Sequence, residues 1–88
     1  MDIKGKIGII TGAASGIGRA AAQELKKHEI GALALVDMSD AVNSVAAEMN
    51  AASGDQTVLA FQGDTTDEMF RKRVFDTMRR EYGAVNIC

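Results

Sequence analysis

Two hydrophobic periodicities alternate along this chain, and that alternation limits its fold more than any other feature. Ile7-Gly8-Ile9-Ile10 is a continuous, largely β-branched apolar run, the pattern of a strand buried on both faces. From Ile17 the spacing turns helical, with Ile17, Ala21 and Leu25 at steps of four, so these residues are expected to form the buried stripe. Lys26, Lys27 and His28 suit the negative pole of that helix, and Gly31 is the expected left-handed residue after it. Leu33-Ala34-Leu35-Val36 is a second strand-like run, ended by Asp37. Ser39 or Asp40 is placed to cap a second helix with the stripe Val42, Val45, Ala46 and Met49, and Gly54 follows it. Thr57–Phe61 is the third strand. Thr65 and Glu68 have capping-box spacing before a third helix, ended by Gly83, that carries Phe70, Val74, Met78 and Tyr82 at steps of four, plus Phe75. Val85-Asn86-Ile87-Cys88 starts a fourth strand.

The order β-α-β-α-β-α-β requires crossover connections. The expected class is therefore α/β: a Rossmann-like three-layer αβα arrangement around a parallel sheet, truncated at the start of the fourth strand. Residues 1–88 contain no proline and no linker-like stretch, so they read as the N-terminal part of a single domain with no internal boundary. A parallel sheet needs both faces covered. The chain is accordingly expected to be one part of a larger doubly wound unit, and to fold only marginally by itself.

Composition narrows the partners. With a formal net charge of -2, neither nucleic acid nor an anionic membrane is favoured. Arg71-Lys72-Arg73 and Arg79-Arg80 are interleaved with the apolar stripe and diluted by Asp67, Glu68, Asp76 and Glu81; they read as a solvated face with local ion pairs. The single cysteine, Cys88, cannot form an internal disulfide and reads as a small apolar residue. The longest apolar run, Ile30 to Val36, is far short of the ~20 residues that span a bilayer. The start of the chain lacks the apolar core of a secretion signal, and the cytoplasm is the expected location. His28 has no partner for a metal site, so no metal ligands are assigned.

Between the first strand and the first helix lies Thr11-Gly12-Ala13-Ala14-Ser15-Gly16-Ile17-Gly18. Unpaired N–H groups at a helix N-terminus carry partial positive charge, and a pyrophosphate can reach them only where side chains do not intervene. Gly12 permits the tight turn, Gly16 removes a blocking Cβ, Gly18 allows close helix–sheet packing, and Ser15 adds a hydroxyl. Asp37, at the end of the second strand, is placed to accept hydrogen bonds from the ribose of an adenine dinucleotide. That also selects the cofactor. A 2′-phosphate at ~4 Å from Asp37 would cost about 4 kcal/mol per charge pair at an effective dielectric near 20. No Arg or Lys lies between Asp37 and Asn50, and Ala13 and Ala14 bring no charge. NAD is favoured over NADP. Asp64 and Thr65 end the third strand on the same side of the sheet, where Asp64 is placed to meet the adenine amino group.

These residues resemble the short-chain dehydrogenase/reductase family: Thr-Gly-x-x-x-Gly-Ile-Gly at 11–18, Asp37 after the second strand and Asp64 after the third. The resemblance covers essentially all 88 residues and about the first third of a typical member. It implies an NAD(P)-dependent oxidoreductase interconverting an alcohol and a ketone or aldehyde. It implies phosphate contacts around Ser15, Ile17 and Gly18, ribose contacts at Asp37 and Met38, and adenine contacts at Asp64 and Thr65. The cofactor-binding set is thus Gly12, Ala14, Ser15, Gly16, Ile17, Gly18, Asp37, Met38, Asp64 and Thr65. Thr65 is polar where the family is often aliphatic, and Asn86 stands where an Asp is common. The family's catalytic Ser and Tyr-x-x-x-Lys are not in this chain. Tyr82 is followed four residues on by Asn86, so no catalytic residue is assigned and the chain alone is expected to be inactive. A small-molecule alcohol or carbonyl substrate and homo-oligomer contacts are expected from the C-terminal part. The alternative is a non-catalytic NAD-binding regulatory module on the same fold; below it stands a structural fragment that binds nothing.

Overall fold

The structure, a computed structural model, describes residues 4–83 together with Val85 and Asn86. The elements run β1 (Ile7–Thr11), α1 (Gly16–Lys27), β2 (Ala32–Asp37), α2 (Ala41–Ser53), β3 (Val58–Gln62) and α3 (Glu68–Tyr82). The strands form a parallel sheet in the order β1-β2-β3. This is the expected truncated αβα arrangement.

β2 lies in the middle of these strands and shows why its sequence is apolar up to Asp37. Leu33 and Leu35 project into one cluster with Val42, Val45, Ala46 and Met49 of α2 and Ala22 of α1. Ala32, Ala34 and Val36 project into the other, with Phe70, Val74 and Met78 of α3. From Ala32 to Val36, where β2 is buried on both faces, no polar residue occurs; the first is Asp37, where the strand emerges. The α2 stripe is the one expected; on α3 Phe70, Val74 and Met78 are buried and Tyr82 half-buried, whereas Phe75, also expected there, is exposed because it lies one residue off the steps of four that face the sheet.

Three other local expectations are corrected. The buried face of α1 is Gly18 and Ala22, with Leu25 half-buried; Ile17 is 88% exposed and Ala21 is exposed too. The start of α1 lies directly on the backbone of the preceding loop, so its contact face takes the smallest residues rather than the most apolar. The left-handed residue after α1 is Glu29 (φ 64°), not Gly31. Gly31 instead lies against the backbone of Gly5, where a Cβ would come within 2.7 Å of its carbonyl oxygen, and its N–H donates to Lys6 O at 2.8 Å. The N-cap of α3 is Asp67, which accepts from the N–H groups of Met69 (2.9 Å) and Phe70 (3.4 Å); Thr65 lies two residues upstream, outside the cap.

Side-chain hydrogen bonds tie the layers together. Asn50 of α2 pairs with residue 58 as a strand would: its Nδ2 donates to Val58 O (2.8 Å) and its Oδ1 accepts from Val58 N (3.0 Å). Lys26 Nζ, at the end of α1, meets Asp55 Oδ2 at 3.0 Å and Thr57 Oγ1 at 2.7 Å. Of the expected fourth strand, Ile87 and Cys88 lie outside the described residues. Asn86 N donates to Ile7 O (2.8 Å), and Ile7 N donates to Asn86 Oδ1 (2.9 Å). Because β2 takes the neighbouring Lys6 carbonyl, Asn86 lies along the opposite edge of β1. Among the described residues no helix is long and apolar enough to cross a membrane.

Candidate functional site at the C-terminal ends of the strands

Parallel pairing in register brings Thr11, Asp37 and Gln62 to one edge of the sheet. The loops that follow them form the site. The three glycines of the first loop answer three different demands. Gly12 has φ +67°, a conformation that a Cβ disfavours. Gly18 packs so closely that a Cβ would overlap the Gly12 carbonyl oxygen and lie 2.7 Å from its carbon. At Gly16, the first residue of α1, a Cβ would meet nothing within 4 Å. Its missing side chain therefore leaves an open approach to the helix N-terminus, where N–H groups converge.

Ser15 shapes this terminus. Its Oγ donates to Gly12 O (2.7 Å) and accepts from Gly18 N (3.3 Å), making it the N-cap of α1. No acidic residue lies in the first turn of α1; the carboxylate beside this terminus is that of Asp37, bonded to Ala14 N just before the cap.

Asp37 sits between the loops. Its Oδ1 accepts from Ser39 N (3.0 Å) and its Oδ2 from Ala14 N (2.9 Å). Its backbone carbonyl accepts from Gly63 N (2.9 Å). The Ser39 and Ala14 N–H groups hold the carboxyl below the usual carboxylate range, partly offset by desolvation. A carboxylate has about four acceptor positions; the two backbone bonds leave one free on each oxygen, the pattern that a vicinal diol fills. Met38, beside it, is 68% exposed.

Asp64 is exposed and engaged through one oxygen. Its Oδ1 accepts from both Thr66 N (2.9 Å) and Thr66 Oγ1 (2.7 Å), bonds that lower its pKa. Thr65 is half-buried. With Thr11, Val36 and Phe70 it lines an apolar recess of ≈ 90 Å³. Arg71 Nη1 donates to Thr65 O at 2.6 Å, so one cation of the apparently solvated third-helix face reaches the rim of the site. Its signal in the sequence is only its place one turn beyond the Asp67 cap. A larger hollow, ≈ 410 Å³, lies on the outer face between α1 and α2 and contains none of the candidate residues. Among the described residues, no group of three or more His, Cys, Asp or Glu is placed to hold a metal.

The structure thus brings Gly12, Ala14, Ser15, Gly16, Gly18 and Asp37 into one connected unit. Met38, Asp64 and Thr65 lie beside it on the next loops, and exposed Ile17 flanks the helix start. The family model for short chain dehydrogenases matches residues 6–88. The chain belongs to the short-chain dehydrogenase family. Its relatives include an NAD-dependent glycerol dehydrogenase of Listeria innocua, 34% identical over 86 residues, which are 98% of this chain and 32% of that protein. A second is short-chain dehydrogenase/reductase family 16C member 6 of Bos taurus, 36% identical over 87 residues, or 98% of this chain and 27% of that one. A crystal structure of a short-chain dehydrogenase/reductase from Burkholderia phymatum in complex with NAD superposes with a TM-score of 0.89 at 27% identity, covering 99% of this chain and 31% of the other. This short-chain dehydrogenase chain thus spans about a third of the length of the relatives it matches.

Proposed function

We propose that these residues bind the nicotinamide dinucleotide of an oxidoreductase that interconverts an alcohol and a ketone or aldehyde, and that the dinucleotide is NAD. The observation that carries this reading is the pairing of an open, capped helix N-terminus at Gly16 with a carboxylate anchored across from it at Asp37. The first suits a pyrophosphate and the second a ribose diol. The N–H groups at the start of α1 receive the phosphates, Ser15 orients the turn, Met38 provides an apolar surface beside the adenosine, and Thr65 with Asp64 borders the adenine. Bound there, the nicotinamide supplies a hydride acceptor or donor. Tyr82, half-buried against the α3 cluster, is not assigned to proton transfer.

The preference for NAD follows from charge. The neighbours of Asp37 in space, Ala14, Met38 and Ser39, include no cation to offset a 2′-phosphate, and the anchored carboxylate stays ionised at neutral pH. The NAD-dependent relative and the NAD-bound structure support a nicotinamide cofactor; the catalytic reading is preferred to the regulatory one because both are oxidoreductases of this family. Titration of the intact protein with NADH and NADPH, followed by nicotinamide fluorescence, tests the assignment. Tighter binding of NADH is expected, with Asp37→Ala combined with Met38→Arg relaxing the preference toward NADPH. A wild-type protein that binds NADPH more tightly overturns the role given to Asp37.

A further inference from the structure

We infer that Asp37 is also a positioning residue for the phosphate-binding loop: through Ala14 it fixes that loop before any ligand arrives, so its carboxylate acts on the part of the cofactor it does not touch. The inference rests on the dinucleotide reading above and extends it from the adenosine ribose to the pyrophosphate end.

The argument is one of accounting for the loop's backbone. Between the last residue of β1 and the first of α1 lie Gly12, Ala13, Ala14 and Ser15. Ser15 N is satisfied within the loop by Gly12 O (3.1 Å), and Ala13 N by Val36 O (3.2 Å). Ala14 N is satisfied by Asp37 Oδ2 (2.9 Å), a residue 23 positions away. The loop thus has two bonds to the end of β2, and one of them is a side-chain bond. The same carboxylate holds Ser39 N through its other oxygen, and the Asp37 carbonyl holds Gly63 N. Residue 37 therefore ties together all three loops at the C-terminal ends of the strands. With φ +67° at Gly12 and a flexible glycine at position 16, a loop released at Ala14 has many conformations to sample. Binding would then have to pay to reorder it.

This assigns two separable jobs to one side chain. Replacing the carboxylate by alanine removes both the charge that repels a 2′-phosphate and the acceptor that holds Ala14. Replacing it by asparagine removes the charge and keeps one acceptor oxygen, enough for Ala14 N or Ser39 N but not for both. On this account Asp37→Asn/Met38→Arg accepts NADPH better than Asp37→Ala/Met38→Arg, although both remove the same charge.

The decisive experiment uses the intact protein without ligand, then with nicotinamide mononucleotide, which lacks the adenosine ribose. In Asp37→Ala the exchange of the Ala14 amide proton, read by NMR, should accelerate roughly ten-fold or more, the loss expected for one charge-assisted hydrogen bond. Nicotinamide mononucleotide should bind several-fold more weakly. Asp37→Asn, with one acceptor oxygen for the Ala14 and Ser39 N–H groups, should fall between Asp37→Ala and wild type in both properties. If Asp37→Ala fails to fold, Asp37→Ser, whose hydroxyl is one atom too short to reach Ala14, takes its place. Unchanged Ala14 exchange overturns the tether, and unchanged mononucleotide binding overturns its bearing on the cofactor. A wild-type protein that binds neither NAD nor the mononucleotide sinks the dinucleotide reading instead, and the Ala14 exchange still reports the tether.

Discussion

Gly16 and Gly18 are two residues apart at the start of α1, and one methyl group at each should have opposite consequences. At Gly18 the added Cβ overlaps the Gly12 carbonyl oxygen and comes within 2.7 Å of the Gly12 carbon and 3.0 Å of Ala13 Cα. All three are backbone atoms of a loop held by Asp37 and Val36, so no rotamer change relieves the overlap. Overpacking typically costs 1–3 kcal/mol, and a backbone contact of this kind belongs at about 3 kcal/mol. Alanine regains about 1 kcal/mol of helix propensity, leaving a net loss of about 2 kcal/mol. For a unit of this size that is a fall in Tm of roughly 8–16 °C, and less within a larger domain. At Gly16 nothing lies within 4 Å, so alanine there should leave stability unchanged or raise it by up to ~1 kcal/mol. The same methyl stands in the approach to the helix N-terminus and should weaken NAD binding at least roughly ten-fold, the effect of losing about 1.4 kcal/mol of phosphate contact. Thermal melts and NADH titrations of both variants separate the two roles. A Gly16→Ala protein that binds like wild type refutes the phosphate approach, and a Gly18→Ala protein that melts like wild type refutes the close-packing argument.

Two further predictions concern the scaffold. The Lys26 ammonium, with the Thr57 hydroxyl and N–H, lowers the Asp55 pKa from 3.8 to about 2. A depressed folded-state pKa stabilises above the unfolded value and loses that contribution as pH falls through the folded one, so the link between α1 and β3 should weaken between about pH 4 and pH 2. Asp55→Asn should flatten the fall of Tm with pH in that window, and an unaltered profile would contradict the ion pair. At the edge of β1, Asn86→Leu removes the acceptor for Ile7 N and should cost about 1–2 kcal/mol in denaturant melts, whereas Asn86→Asp keeps it; equal stability of the two would show that the bond does not matter.

Much of this was legible in residue types because most of the elements obey one rule each. β2 is apolar from Ala32 to Val36 because both its faces are covered there, and the α2 stripe recurs at 3, 4 and 7 because that helix packs by side chains. The failures have separate causes. Ile17 and Ala21 were expected inside because apolar residues mark buried faces, yet α1 begins by packing its backbone on the loop backbone, a contact that selects glycine and small residues. Glu29 takes the left-handed position expected for Gly31 because Gly31 is needed where Gly5 approaches. Thr65 loses the cap to Asp67, two positions nearer the first turn of the helix. In the site, the glycines and Asp37 announce themselves by type and spacing. The bond from Ala14 does not, because a backbone N–H looks the same in every sequence.

The central claim is that the loop at residues 11–18 and Asp37 hold NAD. Isothermal titration of the intact protein with NAD and with NADP, under identical conditions, tests it most directly. Saturable binding is expected for NAD and binding at least roughly ten-fold weaker for NADP, the minimum consistent with an uncompensated phosphate beside an ionised carboxylate. No heat of binding for NAD at millimolar concentration, or tighter binding of NADP, would contradict it.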